Sequence, residues 1–210
     1  SSAGAAFAAA LGACRALAAT RRRLDVEAVE AAVLDRLRAE ARERAGGYTV
    51  VSWRDSTPER WLDGFAYLTG RMLTDAPLDD LQWDPEVYDA QRIRERDASC
   101  RAQGLRSVTS AACDSAGRLV AFTQLVLRAT VGWYGEQWDT IVAPEHRGYR
   151  LGALLKVDNL ALARARHPQL RVVDTWNADS NPHMIAINGA MGFRPHDRWA
   201  EWQLDLGAAS

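Results

Sequence analysis

The sequence predicts a mixed α/β fold: one sheet with both antiparallel and parallel strands, and helices on both faces. Two observations carry that reading. Residues 107–127 read as an antiparallel hairpin around Asp114-Ser115-Ala116-Gly117. Residues 137–176 then read as strand, helix, strand, the signature of a parallel crossover. An antiparallel meander that passes into a βαβ unit requires a mixed sheet.

The elements follow in order. Residues 26–45 repeat Val26, Val29, Val33 and Leu37 near helical spacing, and Gly46-Gly47 ends the helix. Tyr48–Trp53 is β-branched and aromatic, hence a strand. Asp55, Ser56 and Thr57 are cap candidates before Pro58, which opens a helix to about residue 72. Asp84-Pro85-Glu86 opens another, to about Gln103. Ser107–Cys113 and Arg118–Leu127 are the hairpin strands, and Gln137–Val142 is a third. A loop leads to a helix at 151–166; Leu170–Trp176 is a strand, Asn181–Met191 a helix, and Arg198–Leu206 the last strand.

Composition excludes several classes. The 26 basic and 27 acidic residues leave a net charge of −1, which argues against a protein that tracks nucleic-acid phosphates. With 48% hydrophobic and 25% charged residues the chain is in the globular range. No apolar run approaches the ~20 residues of a membrane span. Cys14, Cys100 and Cys113 form no metal-ligand spacing and no CxxC pair, so no metal is expected and a reducing, cytoplasmic setting is. Leu11-Gly12-Ala13-Cys14 looks like a lipoprotein cleavage box, but no basic segment precedes it. Lys156 is the one lysine and Ala is the commonest residue, a bias associated with GC-rich bacterial genomes.

The chain also repeats itself. Residues 6–26 align without gaps on 186–206, with five identities in 21 positions: Ala6/Ala186, Ala10/Ala190, Gly12/Gly192, Leu24/Leu204 and Asp25/Asp205. Residues 1–25 are therefore read as the final helix and strand of a preceding domain of the same fold. Residues 26–47 become a linking helix, 48–206 the main domain and 207–210 a tail. Cut from its neighbour, 1–25 is expected to expose an apolar helix face and an unpaired strand edge, and therefore to dock on this domain or on a second copy; the missing domain or a second copy is the expected partner.

Chemistry concentrates in 140–155, TIVAPEHRGYRLGALL, inside a stretch (141–171) that carries +4. A strand ends, Pro144 follows, and Arg147-Gly148-Tyr149-Arg150-Leu151-Gly152-Ala153 enters a helix. Gly152 permits close backbone approach, and the free N–H groups of the first turn, with the helix dipole behind them, suit a pyrophosphate.

This segment resembles motif A of the GNAT superfamily, the acyl-CoA-dependent N-acyltransferases, whose pattern is V-x-P-x-x-[RQ]-x-x-G-x-[GA]. Val142, Pro144, Arg147 and Gly152 match it. The superfamily's second element, N-x-x-A-x-x-L-Y-x-x-x-G-F, is matched in part and in register by Asn181 through Phe193. The resemblance covers about three quarters of the chain and extends to members built as two tandem halves. It implies a twisted mixed sheet of six or seven strands with a V-shaped splay between two parallel strands, here 136–142 and 170–176. It implies acetyl-CoA as donor co-substrate, and direct transfer of its acetyl group to a primary amine, of a small molecule.

The same resemblance implies roles. Backbone at Thr140, Ile141 and Val142 would pair with pantetheine, the Val142 N–H would face the thioester oxygen, and Gly148, Tyr149, Arg150, Leu151, Gly152 and Ala153, with Arg147, would hold the pyrophosphate. Asn181 matches an Asn that contacts pantetheine. Two positions depart. Arg150 stands where the superfamily has Gly; it lacks glycine's free choice of φ but adds a guanidinium for a phosphate. Asn188 replaces the Tyr that often protonates the departing thiolate. It cannot donate that proton, although its amide could bond the sulfur. The departures keep a second reading open, a non-catalytic acyl-CoA-binding or interaction module.

Candidate bases for the acceptor ammonium are Glu136, Asp139 and Asp174. Strand alternation puts Glu136 and Asp139 on opposite faces, so only one is expected in the cleft unless a bulge intervenes. Trp138, Trp176 and Asp174 are the candidate acceptor-binding residues, with sheet packing the competing explanation for the aromatics.

Overall fold

The computed structural model describes residues 3–75, 79–82 and 86–206. Seven strands form one sheet. They are β1 (Cys14–Asp25), β2 (Thr49–Arg54), β3 (Leu105–Cys113), β4 (Leu119–Arg128), β5 (Val131–Val142), β6 (Val172–Ala178) and β7 (Arg194–Gln203). The order across the sheet is β2-β3-β4-β5-β6-β1-β7. All neighbours are antiparallel except β5 and β6, the strands joined by the crossover helix.

The helices are α1 (Ala3–Ala10), α2 (Ala31–Arg44), α3 (Leu62–Asp75), α4 (Ala90–Ala102), α5 (Leu151–Arg166) and α6 (Pro182–Met191). Phe65, Leu68 and Ile93 of α3 and α4 pack with Phe122 and Ile141 on one face. Leu34, Val157 and Leu160 of α2 and α5 pack with Val108, Leu125 and Val173 on the other. β4 is the middle of the core, buried along its length except Arg128. Phe65 and Phe122 meet with centroids 4.5 Å apart, a contact worth about 1 kcal/mol beyond its burial.

Element identities agree with the sequence reading, and boundaries shift for local reasons. The helix expected from residue 84 begins at Ala90, where the Asp89 carboxylate accepts the Arg92 N–H at 2.8 Å. Residues 83–85, on which that expectation partly fell, lie outside the described residues, as does the tail 207–210. The linking helix begins at Ala31, after an Asp25 carboxylate turn that accepts the Glu27 and Ala28 N–H groups.

β1 docks on this domain, one of the two expected outcomes, and does so from within the sheet. No edge of it is left unpaired, because it lies inside the sheet between β6 and β7. Its ladder with β7 is symmetric. Ala19 stands opposite Trp199, its own equivalent 180 residues on, and the flanking pairs exchange under the same shift: Leu17↔Glu201 with Arg21↔Asp197, Cys14↔Gln203 with Arg23↔Arg194. The register slips fall at Ala16 in β1 and His196 in β7, again 180 apart. Gly12 (φ 81°) and Gly192 (φ 104°) both take positive φ after their helices. The repeat is thus a local two-fold axis through the β1/β7 ladder. The expected apolar helix face is present: Phe7 of α1 and Leu11 just after it are exposed, while their equivalents Ile187 and Met191 pack into the core.

Candidate active site

The parallel ladder between β5 and β6 lasts three pairs: Tyr134↔Val172, Gly135↔Val173 and Glu136↔Asp174. Beyond them the strands part. The opening is a cleft of ≈560 Å³ lined by Glu136 to Thr140 of β5, Thr175 to Ala178 of β6, Lys156 of α5, and Asn181 and Met184 of α6. Leu17 and Ala19 of β1, Met72 of α3, Glu201 of β7, and Leu81 complete it.

A bulge shapes the cleft's β5 wall. β4 pairs Leu125 with Gln137 but Thr123 with Thr140, so β5 carries one extra residue there. The bulge resets the alternation, and both Glu136 and Asp139 line the cleft. The bulge is the exception to strand alternation that the sequence reading allowed for. Asp139 is half-buried, and burial pushes its carboxyl pKa up, against the pull of Arg96. Glu136 accepts a hydrogen bond from Trp138 Nε1 at 3.2 Å.

Above the bulge, the Ala143 N–H donates to the Val120 carbonyl. By alternation Ile141 also faces β4, and the backbone groups of Thr140 and Val142 face the parted side. Ile141 packs into the core. The Thr140 hydroxyl meets that of Thr123 at 2.7 Å, and the Val142 carbonyl accepts Arg147 Nε at 3.1 Å.

The loop after β5 enters α5 at Arg150, the helix N-cap, which makes no side-chain capping bond among the described residues. The first-turn N–H groups of Leu151, Gly152 and Ala153 are therefore available to an anion. Arg150 takes the left-handed conformation (φ 57°, ψ 21°) that glycine would take, at about 1 kcal/mol. The sequence-based expectation that this position loses glycine's φ is thus corrected. Gly148 is also left-handed (φ 85°). Arg147 holds Asp75 at 2.8 Å and Arg150 holds Glu40 at 2.6 Å. Exposed Tyr149 packs on Tyr48.

Asn181 caps α6, its Oδ1 accepting the Met184 N–H at 3.1 Å, and lines the cleft. Trp138 and Trp176 also line it; Trp176 packs edge-on against Trp199 and under Arg21. Two expected residues do not reach it. Asp174 is fully buried, clamped by Arg23 through two bonds of 2.8 Å, by Arg21 at 3.3 Å, and by the Tyr134 hydroxyl at 3.2 Å. That surrounding, with burial as the larger cause, pushes Tyr134 up to about 12, so it stays a phenol. Asn188 is also fully buried and donates to Asn177 Oδ1 at 2.8 Å, so its amide meets a cleft residue rather than the cleft.

Sequence reasoning missed two contributors. Lys156 lies four residues after Gly152, on the same face of α5, so helical spacing carried the signal. The bulge left no mark, because nothing in Gln137-Trp138-Asp139 distinguishes it from a regular strand. Among the described residues no group of three or more His, Cys, Asp or Glu could hold a metal ion, and no helix is long and apolar enough to cross a membrane.

Two parallel strands that part beside an uncapped crossover helix give the sheet its distinguishing feature. A tandem GNAT protein from the clavulanic acid biosynthesis pathway superposes with a TM-score of 0.73 and 31% identity, covering 99% of this chain and 60% of that one. The chain has the fold of the GNAT superfamily. A GCN5-related N-acetyltransferase from Sphaerobacter thermophilus matches with a TM-score of 0.60 and 14% identity, over 95% of this chain and 55% of that one. A GNAT phosphinothricin acetyltransferase from Sinorhizobium meliloti, solved with AcCoA, matches at 0.56 and 16%, over 72% and 77%. The chain thus spans 60% of the tandem protein's length. No family model matches the sequence, and no curated protein matches it.

Proposed function

We propose that the chain is an acyl-CoA-dependent N-acyltransferase, moving an acetyl group from acetyl-CoA to the primary amine of a small molecule within a ternary complex. The observation that carries this is the early end of the β5/β6 ladder beside the uncapped start of α5. An extended chain with a pyrophosphate at one end fits that pair of features. The Thr140 and Val142 backbone would hold it as an added strand, and the Leu151 to Ala153 N–H groups would hold the anion. Bound acetyl-CoA supplies an activated acyl carbon. The protein's part is to align the amine, to present the Val142 N–H to the thioester oxygen, and to take the ammonium proton on Asp139 or Glu136. Trp138 and Trp176 stand where they can border a cationic acceptor.

The test is Gly152→Glu. A Cβ there would already touch Ile187 Cδ1 at 3.5 Å, and the longer carboxylate would extend negative charge toward the first-turn N–H groups. CoA affinity by calorimetry should fall below detection; unchanged affinity sinks the assignment.

A second reading has its own support. Arg147 and Arg150 are already held by Asp75 and Glu40, and Asn188 is buried against Asn177, as in an acyl-CoA-binding module without turnover. Thiol release across a panel of amines separates the two: binding with background release favours the module.

The two-fold axis supports a proposal for residues 1–25 as well. β6 covers the far edge of β1; by symmetry a β6-like strand from a preceding GNAT-like domain would cover the outer edge of β7. That domain would also bury Phe7 and Leu11. The outer amides of β7 should then exchange quickly in this chain and slowly once such a domain precedes it; equal exchange counts against the arrangement.

A further inference from the structure

Lys156 is the chain's single lysine and one of its most buried side chains, at 1% exposure, yet it lines the cleft between the parted strands. Its Nζ lies 5.7 Å from the centroid of the Phe193 ring. No hydrogen bond or ion pair joins it to any described residue. The charges on neighbouring elements are committed elsewhere. On α2, Arg38 and Arg42 hold Asp158, and Glu40 holds Arg150. On β6, Asp174 is clamped by β1. β3 and β4 turn uncharged side chains toward α5, among them Ser110, which bonds Asn159. The titratable groups that share the cleft are three carboxylates, Glu136, Asp139 and Glu201. Burial alone brings Lys156 down to about 7.

We propose that Lys156 is the proton donor to the thiolate that leaves when an acyl-CoA bound in this cleft is cleaved; this rests on the acyltransferase reading above. The acceptor nitrogen forms its bond to the acyl carbon. The C–S bond breaks and its electron pair passes to sulfur. Lys156 gives its Nζ proton to that sulfur, leaving CoA thiol and a neutral amine. The acceptor ammonium sheds two protons, one before it attacks and one as the amide forms; Asp139 or Glu136 takes each in turn, one passes through water to restore Lys156 and the other leaves to solvent, so one net proton is released per turnover. The cleft needs such a donor. Its other titratable lining residues are acceptors when ionised, and Asn188, where the superfamily Tyr would stand, is buried against Asn177. A thiol titrates near 8.5, so an acid that exchanges its proton near neutrality can hand one to a departing thiolate and recover it.

The experiment uses CoA itself as probe, bound to the full chain and to Lys156→Met, with thiolate absorbance followed against pH. In the unaltered chain the bound thiol should ionise about one pH unit or more below its position in the variant. Transfer to an accepted amine should fall about 100-fold or more in Lys156→Met with affinity for acyl-CoA kept. That loss should shrink with an aryl thioester, whose thiolate leaves without a proton. The variant should fold, because methionine removes an unpaired polar group at similar length. Burial lowers the folded-state pKa, so the unaltered chain loses stability as pH falls from ~10.4 toward 7, and the Lys156→Met gain in urea midpoint grows over that window. Lys156→Gln gives a second variant for the same titration.

Identical thiol titrations in the unaltered chain and both variants overturn the proposal. So does mass spectrometry that finds Lys156 itself acylated, since the lysine would then be a nucleophile. If CoA binds to none of the chains, the acyltransferase reading fails and takes this one with it. If CoA binds all of them and titrates alike, Lys156 fails alone.

Discussion

Two ladders of the same sheet behave oppositely. β1 and β7 stay paired over nine positions despite two register slips, whereas β5 and β6 separate after three. Irregularity is therefore not what opens a sheet. The slips at Ala16 and His196 are related by the two-fold axis and leave the strands together, while β6 is engaged by β1 over seven positions, more than twice as many as by β5. β6 follows its antiparallel neighbour, and the cleft is the space left behind. The last residue that β6 pairs with β5 is Asp174, and it is the one that Arg23 and Arg21 of β1 hold. The segment that the repeat assigns to another domain thus fixes the point where the proposed active site begins.

The largest effect should come from breaking that hold. Arg23→Ala leaves the fully buried Asp174 with only the longer Arg21 contact and the Tyr134 hydroxyl. Removing one partner of a buried pair should cost about 3 kcal/mol or more in urea unfolding. If the cost is under about 1 kcal/mol, the exposed side of Arg23 is the better description and the pair is a surface one.

Next is the bulge on the other wall. Among the described residues Asp139 has no ion-pair partner, and burial raises its pKa, so it deprotonates above the usual carboxylate range. As a base it works ionised, and kcat/KM should rise as pH climbs through that raised value. Asp139→Asn should remove the rise and about 100-fold of the rate. An intact acid limb in Asp139→Asn with its loss in Glu136→Gln would move the base to Glu136.

Much of this was legible in the sequence, and the illegible part has a common cause. The crossover helix, the glycine-bearing loop before it and the hairpin were readable because they rest on local signals: period 3.6, glycines, Asp-Ser-Ala-Gly. The 180-residue repeat was readable from five identities. What was missed depended on which element lies against which. Asp174 looked like a cleft carboxylate until β1 was found beside it; docking of residues 1–25 on this domain was expected, but no local signal says that the strand enters between β6 and β7. Arg150 shows the complement: a residue type that disfavours positive φ adopts it because the loop and helix on either side require it.

The smallest effect isolates the symmetry itself. Gly12 and Gly192 are equivalents in sequence, and both hold positive φ. Their surroundings differ. A Cβ on Gly192 would lie 3.1 Å from Val29 Cγ2 and 3.3 Å from Leu24 Cδ1, whereas one on Gly12 would meet nothing within 4 Å. Gly192→Ala should cost about 2–3 kcal/mol, conformational strain plus crowding of a fully buried leucine. Gly12→Ala should cost about 1 kcal/mol, strain alone. The gap of 1–2 kcal/mol, read from paired urea titrations, is therefore a measure of what covers α6 and leaves α1 bare. If a preceding GNAT-like domain packs on α1 as this one packs on α6, the two costs should converge in a chain that carries it. A gap that stays open there would mean that the two-fold axis relates the strands but not what packs around them.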